Sequence, residues 1–209
     1  MPDDGAAIAF WFSIGSTYSY LSIMRLDGVA ARLGTRFDWR PFQVRDIVVE
    51  QSNRPFVGKP VKTAYMWRDI ERRAGGYGIP LRVPVPYPLQ AMDLANAVAV
   101  LGRREGWCAD YARATYRRWF QHGQEPGLEP NLSESLREIG QDSGRVVSAG
   151  QAEEVAAALR AATAEAKALG VFGSPSFVTR DGELFWGDDR LEDAVAWHRS
   201  GTLAGRLRG

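Results

Sequence analysis

The run Ile8–Phe12, Ile-Ala-Phe-Trp-Phe, most limits how this chain can fold. So short and continuously apolar a run marks a strand buried on both faces, because a half-exposed strand would alternate. Such a strand needs a layer of other elements on each side. Gly15 breaks the run, and Ser16 stands where a helix N-cap belongs. Ile23, Leu26, Ala30 and Leu33 then recur at helical spacing until Gly34. Over 36–40, Phe37 and Trp39 alternate with charged neighbours as a second strand, which Pro41 ends or confines to an edge. The chain therefore opens β-α-β.

Positions 43–59 read as irregular, broken by Asn53, Pro55 and Gly58. Pro60 suits a first helical position and opens a helix carrying Lys62, Tyr65, Asp69 and Arg72, which Gly75-Gly76 is expected to stop. Three prolines within 83–88 make an extended linker. Between 89 and 169 the apolar stripes are helical: Leu94, Val98 and Leu101; Ala112, Thr115, Trp119 and its neighbour Phe120; Val155, Leu159, Ala162, Ala166 and Leu169. Strands return at 176–180 and 183–186, joined by the hairpin turn Asp181-Gly182. Asp188 or Asp189 is then expected to cap a last helix with Leu191, Val195 and His198.

Composition narrows the function. The 209 residues carry 26 Lys+Arg against 25 Asp+Glu, so no global field draws nucleic acid or an anionic membrane. The pairs Arg72-Arg73, Arg103-Arg104 and Arg117-Arg118 read as solvated helix faces. No run approaches the roughly 18 apolar residues of a membrane span. Asp3 and Asp4, ahead of an apolar run that stops at Ser13, read against a secretory signal. Cys108 is the single cysteine, which rules out an intramolecular disulfide and makes a reducing cytoplasm the expected compartment. It is expected to pack as a small buried hydrophobe. Two histidines and one cysteine give no metal-ligand spacing, and no G-x-S-x-G points to a serine hydrolase.

A β-α-β start, a β-β-α finish and helices between them resemble an α/β thioredoxin-like domain with a large all-helical insertion, of the DsbA and kappa glutathione transferase type. The expected division is 1–44 and 168–209 for the thioredoxin-like domain and 45–167 for the insertion. Ser16-Thr17-Tyr18-Ser19 stands where redox members carry Cys-x-x-Cys, and Gly173-Ser174-Pro175-Ser176-Phe177 where the facing cis-proline loop belongs. Four ordered blocks extend the likeness: F-W-F-S-I-G-S-T-Y-S-Y-L; N-R-P-F-V-G-K-P-V-K-T-A-Y-M-W-R-D-I-E-R-R-A followed by G-I-P-L; G-V-F-G-S-P-S-F; and W-G-D-D-R-L. Together they resemble the 2-hydroxychromene-2-carboxylate isomerases, relatives of the kappa-class glutathione transferases. In the first block two positions depart from that pattern. Thr17 replaces a usual proline, and Ser13 replaces a usual aspartate, removing a carboxylate near the site.

The resemblance implies glutathione as cofactor and a small aromatic carboxylate as substrate, held by a homodimer without a metal. A serine cannot exchange disulfides, because its hydroxyl does not ionise near neutral pH. Ser16 would instead donate a hydrogen bond to the glutathione sulfur at a helix N-terminus that favours negative charge. A thiol pKa of about 8.5 can fall to roughly 3.5–7.5 in such places, each unit being worth about 1.4 kcal/mol. The plainer alternative is that Ser16 only caps the helix. Ser174 and a cis Pro175 would pair their backbone with the cysteinyl unit, an ordinary trans-proline turn being the alternative. Trp186, Gly187, Asp188, Asp189 and Arg190 match the block that holds the γ-glutamyl end, or else form a cap with a surface ion pair. Asp188 stands where the family usually has asparagine. Asn53 and Lys62 match positions near glutathione, and Asn53, Arg54 and Tyr87 positions near the substrate. Lys62 as a solvated lysine and Tyr87 as a packing residue stay open. The implied reaction interconverts 2-hydroxychromene-2-carboxylate and trans-o-hydroxybenzylidenepyruvate in aromatic catabolism. A kappa-like transferase that conjugates electrophiles, or a redox-silent module gripping peptides through Pro175, would suit the same residues.

Overall fold

The computed structural model describes residues 6–53, 55, 56 and 58–204. Its centre is a four-stranded mixed sheet in the order β2-β1-β3-β4, with β1 at Ile8–Phe12, β2 at Phe37–Pro41, β3 at Ser176–Val178 and β4 at Leu184–Trp186. β1 runs parallel to β2, which requires the crossover supplied by helix α1 at Ser19–Leu33. β3 lies antiparallel to β1 on its other side, and the turn at 179–183 folds β4 back on β3. β1 is thus flanked on both edges, as its continuous apolar run demands. Phe10 sits in register between Trp39 and Phe177. Pro41 ends an edge strand, where its missing N–H leaves no ladder bond unmade.

The pleat sends alternate side chains of β1 into different clusters. Ile8, Phe10 and Phe12 join a large core with α1, α4 at Met92–Glu105, α5 at Cys108–His122 and α9 at Leu191–Ser200. Trp11 turns the other way, onto Phe42, Ile47, Ala166, Val171 and Val178. Ile47 comes from α2 at Val44–Glu50 and Ala166 from α8 at Glu153–Ala168. The first cluster runs without interruption from the sheet into α3 at Pro60–Tyr77, α6 at Asn131–Glu138 and α7 at Ser143–Gly150. Among the described residues, no helix is long and apolar enough to cross a membrane.

Several local expectations are corrected. The segment read as irregular contains α2, a single short helix pinned by buried Ile47 and lacking the turn residues that would announce it. α3 does not stop at Gly75-Gly76 but ends with Gly78 in the left-handed conformation. The Met66–Ile70–Ala74 stripe is fully buried, and Tyr77 lies under the Arg25 guanidinium at 3.8 Å, so packing outweighs the weak helix propensity of glycine. Leu169 belongs to no buried stripe: it follows α8 and is exposed. Ser16 is not the cap of α1, whose N-cap position is Tyr18 and carries no side-chain cap. Neither Asp188 nor Asp189 caps α9. They open a short 3-10 turn, Asp188–Arg190, ahead of it.

Candidate active site

The loop between β1 and α1 meets the loop before β3 at the end of the sheet. Gly15 has φ +123°, and a Cβ there would lie 2.8 Å from Met92 Sδ, so both the turn and the close approach require glycine. The turn closes with the Ser16 N–H donating to the Ser13 carbonyl at 3.0 Å. Two buried side chains from the helical region hold it from below. Asn96 accepts from the Ile14 N–H at 2.7 Å and donates to the Ile14 carbonyl at 3.0 Å. The Tyr116 hydroxyl donates to the carbonyls of Ser13 and Ser16 at 2.9 and 3.0 Å. Burial pushes the Tyr116 phenol well above its ordinary range, so it remains a donor at any working pH.

Facing this turn, the Ser174-Pro175 peptide bond is cis. The Ser16 hydroxyl donates to the Ser174 carbonyl at 2.6 Å. The Ser174 hydroxyl accepts from the Ser13 N–H at 2.9 Å and bonds the Ser19 hydroxyl at 2.8 Å. Four serines thus stitch the two loops together with neutral groups. Ser13 is fully buried, its hydroxyl accepting from the Val44 N–H at 3.3 Å. Where the resembling family places a carboxylate, this chain places no charge. α1 has no acidic residue in its first turn and no side-chain cap, which leaves its positive end uncompensated.

The block 186–190 is tied to the same loop. Gly187 N–H donates to the Pro175 carbonyl at 2.9 Å, and Trp186 lies so close over Gly173 that a Cβ there would stand 2.3 Å from the indole Nε1. Trp186 and Phe172 are exposed, their rings 4.9 Å apart. Asp188 turns inward. Its buried carboxylate accepts from Ser22 at 3.0 Å, Arg25 at 3.2 Å and Arg73 at 3.1 Å. Burial pushes this carboxyl above its usual range, against the pull of the two guanidiniums. Asp189 stays at the surface, paired with Arg190 at 3.0 Å, and Arg190 also reaches Asp193 at 3.0 Å.

α3 forms the opposite wall. Thr17 donates to Met66 Sδ at 3.1 Å, and the Tyr18 phenol donates to Asp69 at 3.0 Å. Burial and the Asp69 carboxylate push the Tyr18 phenol upward. Lys62, one turn before Met66 on the same helix face, is exposed with its ammonium 5.5 Å from the Phe56 ring. Tyr87 is half-buried between Phe56 and Trp67, at 6.2 and 5.8 Å between ring centres, and its burial raises the phenol's pKa. Asn53 is exposed at the end of the turn after α2, its N–H donating to the Val48 carbonyl at 2.8 Å. Arg54 lies outside the described residues. The structure therefore brings Ser16, Ser174, Pro175 and Gly187 into direct contact through hydrogen bonds and groups Lys62 with Tyr87 around Phe56. Asp188 is withdrawn into an ion-pair cluster. Asn96, Tyr116, Ser19, Phe56 and Trp67 were not legible as site residues, because each lies on a helix or loop where an apolar or capping role explains it equally well. Cys108 is buried in α5, and burial pushes its thiol far above the usual range, so it is no nucleophile.

The DSBA-like thioredoxin domain family matches residues 7–196. The chain is 29% identical over 192 residues to a 2-hydroxychromene-2-carboxylate isomerase of Sphingobium xenophagum, covering 88% of this chain and 94% of that protein. It is 27% identical over 197 residues to glutathione S-transferase kappa 2 of Caenorhabditis elegans, covering 88% of each. A solved structure of a 2-hydroxychromene-2-carboxylate isomerase superposes with a TM-score of 0.82 at 25% identity, over 98% of this chain and 100% of that one.

Proposed function

Because this chain belongs to the DSBA-like thioredoxin domain family, we propose that it is a glutathione-dependent isomerase interconverting 2-hydroxychromene-2-carboxylate and trans-o-hydroxybenzylidenepyruvate in aromatic catabolism. The observation that carries this reading is the Ser16 hydroxyl set 2.6 Å from the carbonyl before cis Pro175. A non-ionising donor stands where dithiol chemistry would need a thiolate, facing backbone suited to an extended thiol peptide. Similarity to proteins named as isomerases and as a kappa transferase supports the cofactor class and the reaction class.

Glutathione, when bound, would supply a thiolate nucleophile for reversible addition to the conjugated double bond of the ring-opened substrate. The chain's own residues would bind and orient. Ser16 would donate a hydrogen bond to the sulfur, and the uncapped end of α1 would favour the negative charge. The Ser174 backbone would align the cysteinyl unit, with Pro175 holding that backbone outward. Asp189 and the N–H groups of Asp188 and Asp189 would take the γ-glutamyl ammonium and carboxylate. Asp188 does not fit a direct ligand role, since Ser22, Arg25 and Arg73 occupy its carboxylate. Lys62, with Asn53 nearby in the sequence block, would hold a carboxylate of cofactor or substrate. Phe56, Trp67 and Tyr87 would pack against the aromatic ring and exclude water. The single cysteine supports a reducing, cytoplasmic setting, and the family resemblance supports a homodimer.

The test is turnover of 2-hydroxychromene-2-carboxylate with and without glutathione. Strict dependence on glutathione is expected, and equal rates would sink the proposal. The near-equal similarity to a kappa transferase favours conjugation as the second reading. A stable glutathione conjugate accumulating from a chloronitroarene, with no isomerisation, would establish that reading instead.

A further inference from the structure

Ser16 has a single hydroxyl proton, and in this structure it is committed to the Ser174 carbonyl at 2.6 Å. A carbonyl oxygen only accepts, so the direction of that bond is certain. Among the described residues no other donor reaches that oxygen. The Ser174 hydroxyl is itself occupied, accepting from the Ser13 N–H and sharing a hydrogen bond with the Ser19 hydroxyl. The turn carrying Ser16 is equally fixed, by Tyr116 and Asn96. Donating to a bound sulfur therefore means turning the hydroxyl away from Ser174 and leaving a partly buried carbonyl without its donor from the protein.

We infer that the Ser174 carbonyl is a specificity-determining group that couples thiolate stabilisation to a ligand amide: Ser16 turns to the sulfur only when the ligand's own N–H replaces it on Ser174. The site then activates a thiol carried on an extended, amide-bearing chain and not a bare thiol of the same acidity. This inference rests on the proposed role of Ser16 toward glutathione. It adds a selection rule that the composition of the site does not state, since the hydroxyl, the helix terminus and the carbonyl would otherwise act separately. The exchange conserves hydrogen bonds: Ser16 O–H to Ser174 is replaced by ligand N–H to Ser174 and Ser16 O–H to sulfur.

The test titrates the bound thiol by its ultraviolet thiolate absorbance, at ligand concentrations shown by a dilution series to saturate the protein. One ligand is glutathione, and the other is its depsipeptide analogue, in which an ester oxygen replaces the cysteinyl N–H. Wild-type protein is compared with Ser16→Ala. The expected result is that the analogue's thiol titrates about one pH unit higher than glutathione's on the wild type, the worth of one hydrogen bond to a charged group. That difference should vanish in Ser16→Ala. Equal and low titration midpoints for both ligands on the wild type would overturn the coupling while leaving Ser16 as the thiolate donor. A glutathione thiol that titrates on the wild type as it does free in solution would overturn the proposed role of Ser16, and the coupling with it.

Discussion

The two ends of the hydrogen-bonded network that runs through the cis-proline loop are built from opposite materials. At one end Ser13, Ser16, Ser19 and Ser174 join two loops through neutral hydroxyls and backbone groups, and Ser16 and Ser174 remain partly accessible. At the other, Asp188 is sunk between Arg25 and Arg73, with Glu192 bonded to Arg25. Both ends derive from blocks that resemble one family, yet only the first keeps its polar groups available to a ligand. A neutral end leaves a bound thiolate without a competing carboxylate. A charged, buried end ties α1, α3 and the approach to α9 together, because Asp188 is shared between Arg25 and Arg73 and Glu192 holds Arg25 from α9.

Replacing Asp188 by alanine should have the largest effect. It leaves the Arg73 guanidinium without a carboxylate in a site where the Asp188 side chain is fully enclosed. A loss of about 3–5 kcal/mol is expected in urea unfolding, the usual consequence of breaking a buried pair from one side. A loss under about 1 kcal/mol would place the cluster with ordinary surface pairs and break the contrast between the two ends.

Ser16→Ala should do the reverse, sparing the fold and removing chemistry. Glutathione-dependent turnover is expected to fall by about 10²–10³-fold, as when a single charge-stabilising donor is deleted. The melting temperature should fall by only about 2–4 °C, since the one bond lost among the described residues is that from the Ser16 hydroxyl to the partly buried Ser174 carbonyl.

Tyr116→Phe sharpens the neutral end from beneath. The ring keeps its stacking against Tyr20 and Phe120, but the carbonyls of Ser13 and Ser16 lose their shared donor. A stability loss of about 1–3 kcal/mol is expected from denaturant titration, together with a raised titration midpoint of the bound thiol. If only stability changed, Tyr116 would support the fold without positioning Ser16.

The smallest effect belongs to an exposed pair outside both ends. Arg145 holds the Glu105 carboxyl at about 2, below its ordinary 4.5. A depressed folded-state pKa means stability present above pH 4.5 and lost as pH falls from there toward about 2. Because the pair is solvent-screened, Glu105→Gln should differ from wild type by less than about 1 kcal/mol at pH 7, converging with it in acid. A gap that persists at pH 2 would contradict this sign.

The fold was legible wherever burial wrote a period into the chain. The apolar run of β1, the stripe of α1, the edge position enforced by Pro41 and the hairpin at Asp181-Gly182 each follow from local chemistry. α2 and the passage of α3 through Gly75-Gly76 were not legible, because both depend on what the segment packs against. The site divides the same way. Ser16 and Ser174-Pro175 stand out through their place relative to β1 and β3. Asn96 and Tyr116 act across 82 and 103 positions of chain, a distance over which no local pattern speaks. Asp188 resembled a cap or ligand residue until Arg25 and Arg73 arrived from two other helices.

The central claim is that a serine hydroxyl at this loop stabilises a bound thiolate. Its most direct test is glutathione bound to wild-type and Ser16→Ala protein, with calorimetric affinity and thiolate absorbance read together near pH 7. The account predicts binding by both proteins and a thiolate signal in the wild type alone. Binding by both with the same thiolate signal, or no binding by the wild type, would contradict it.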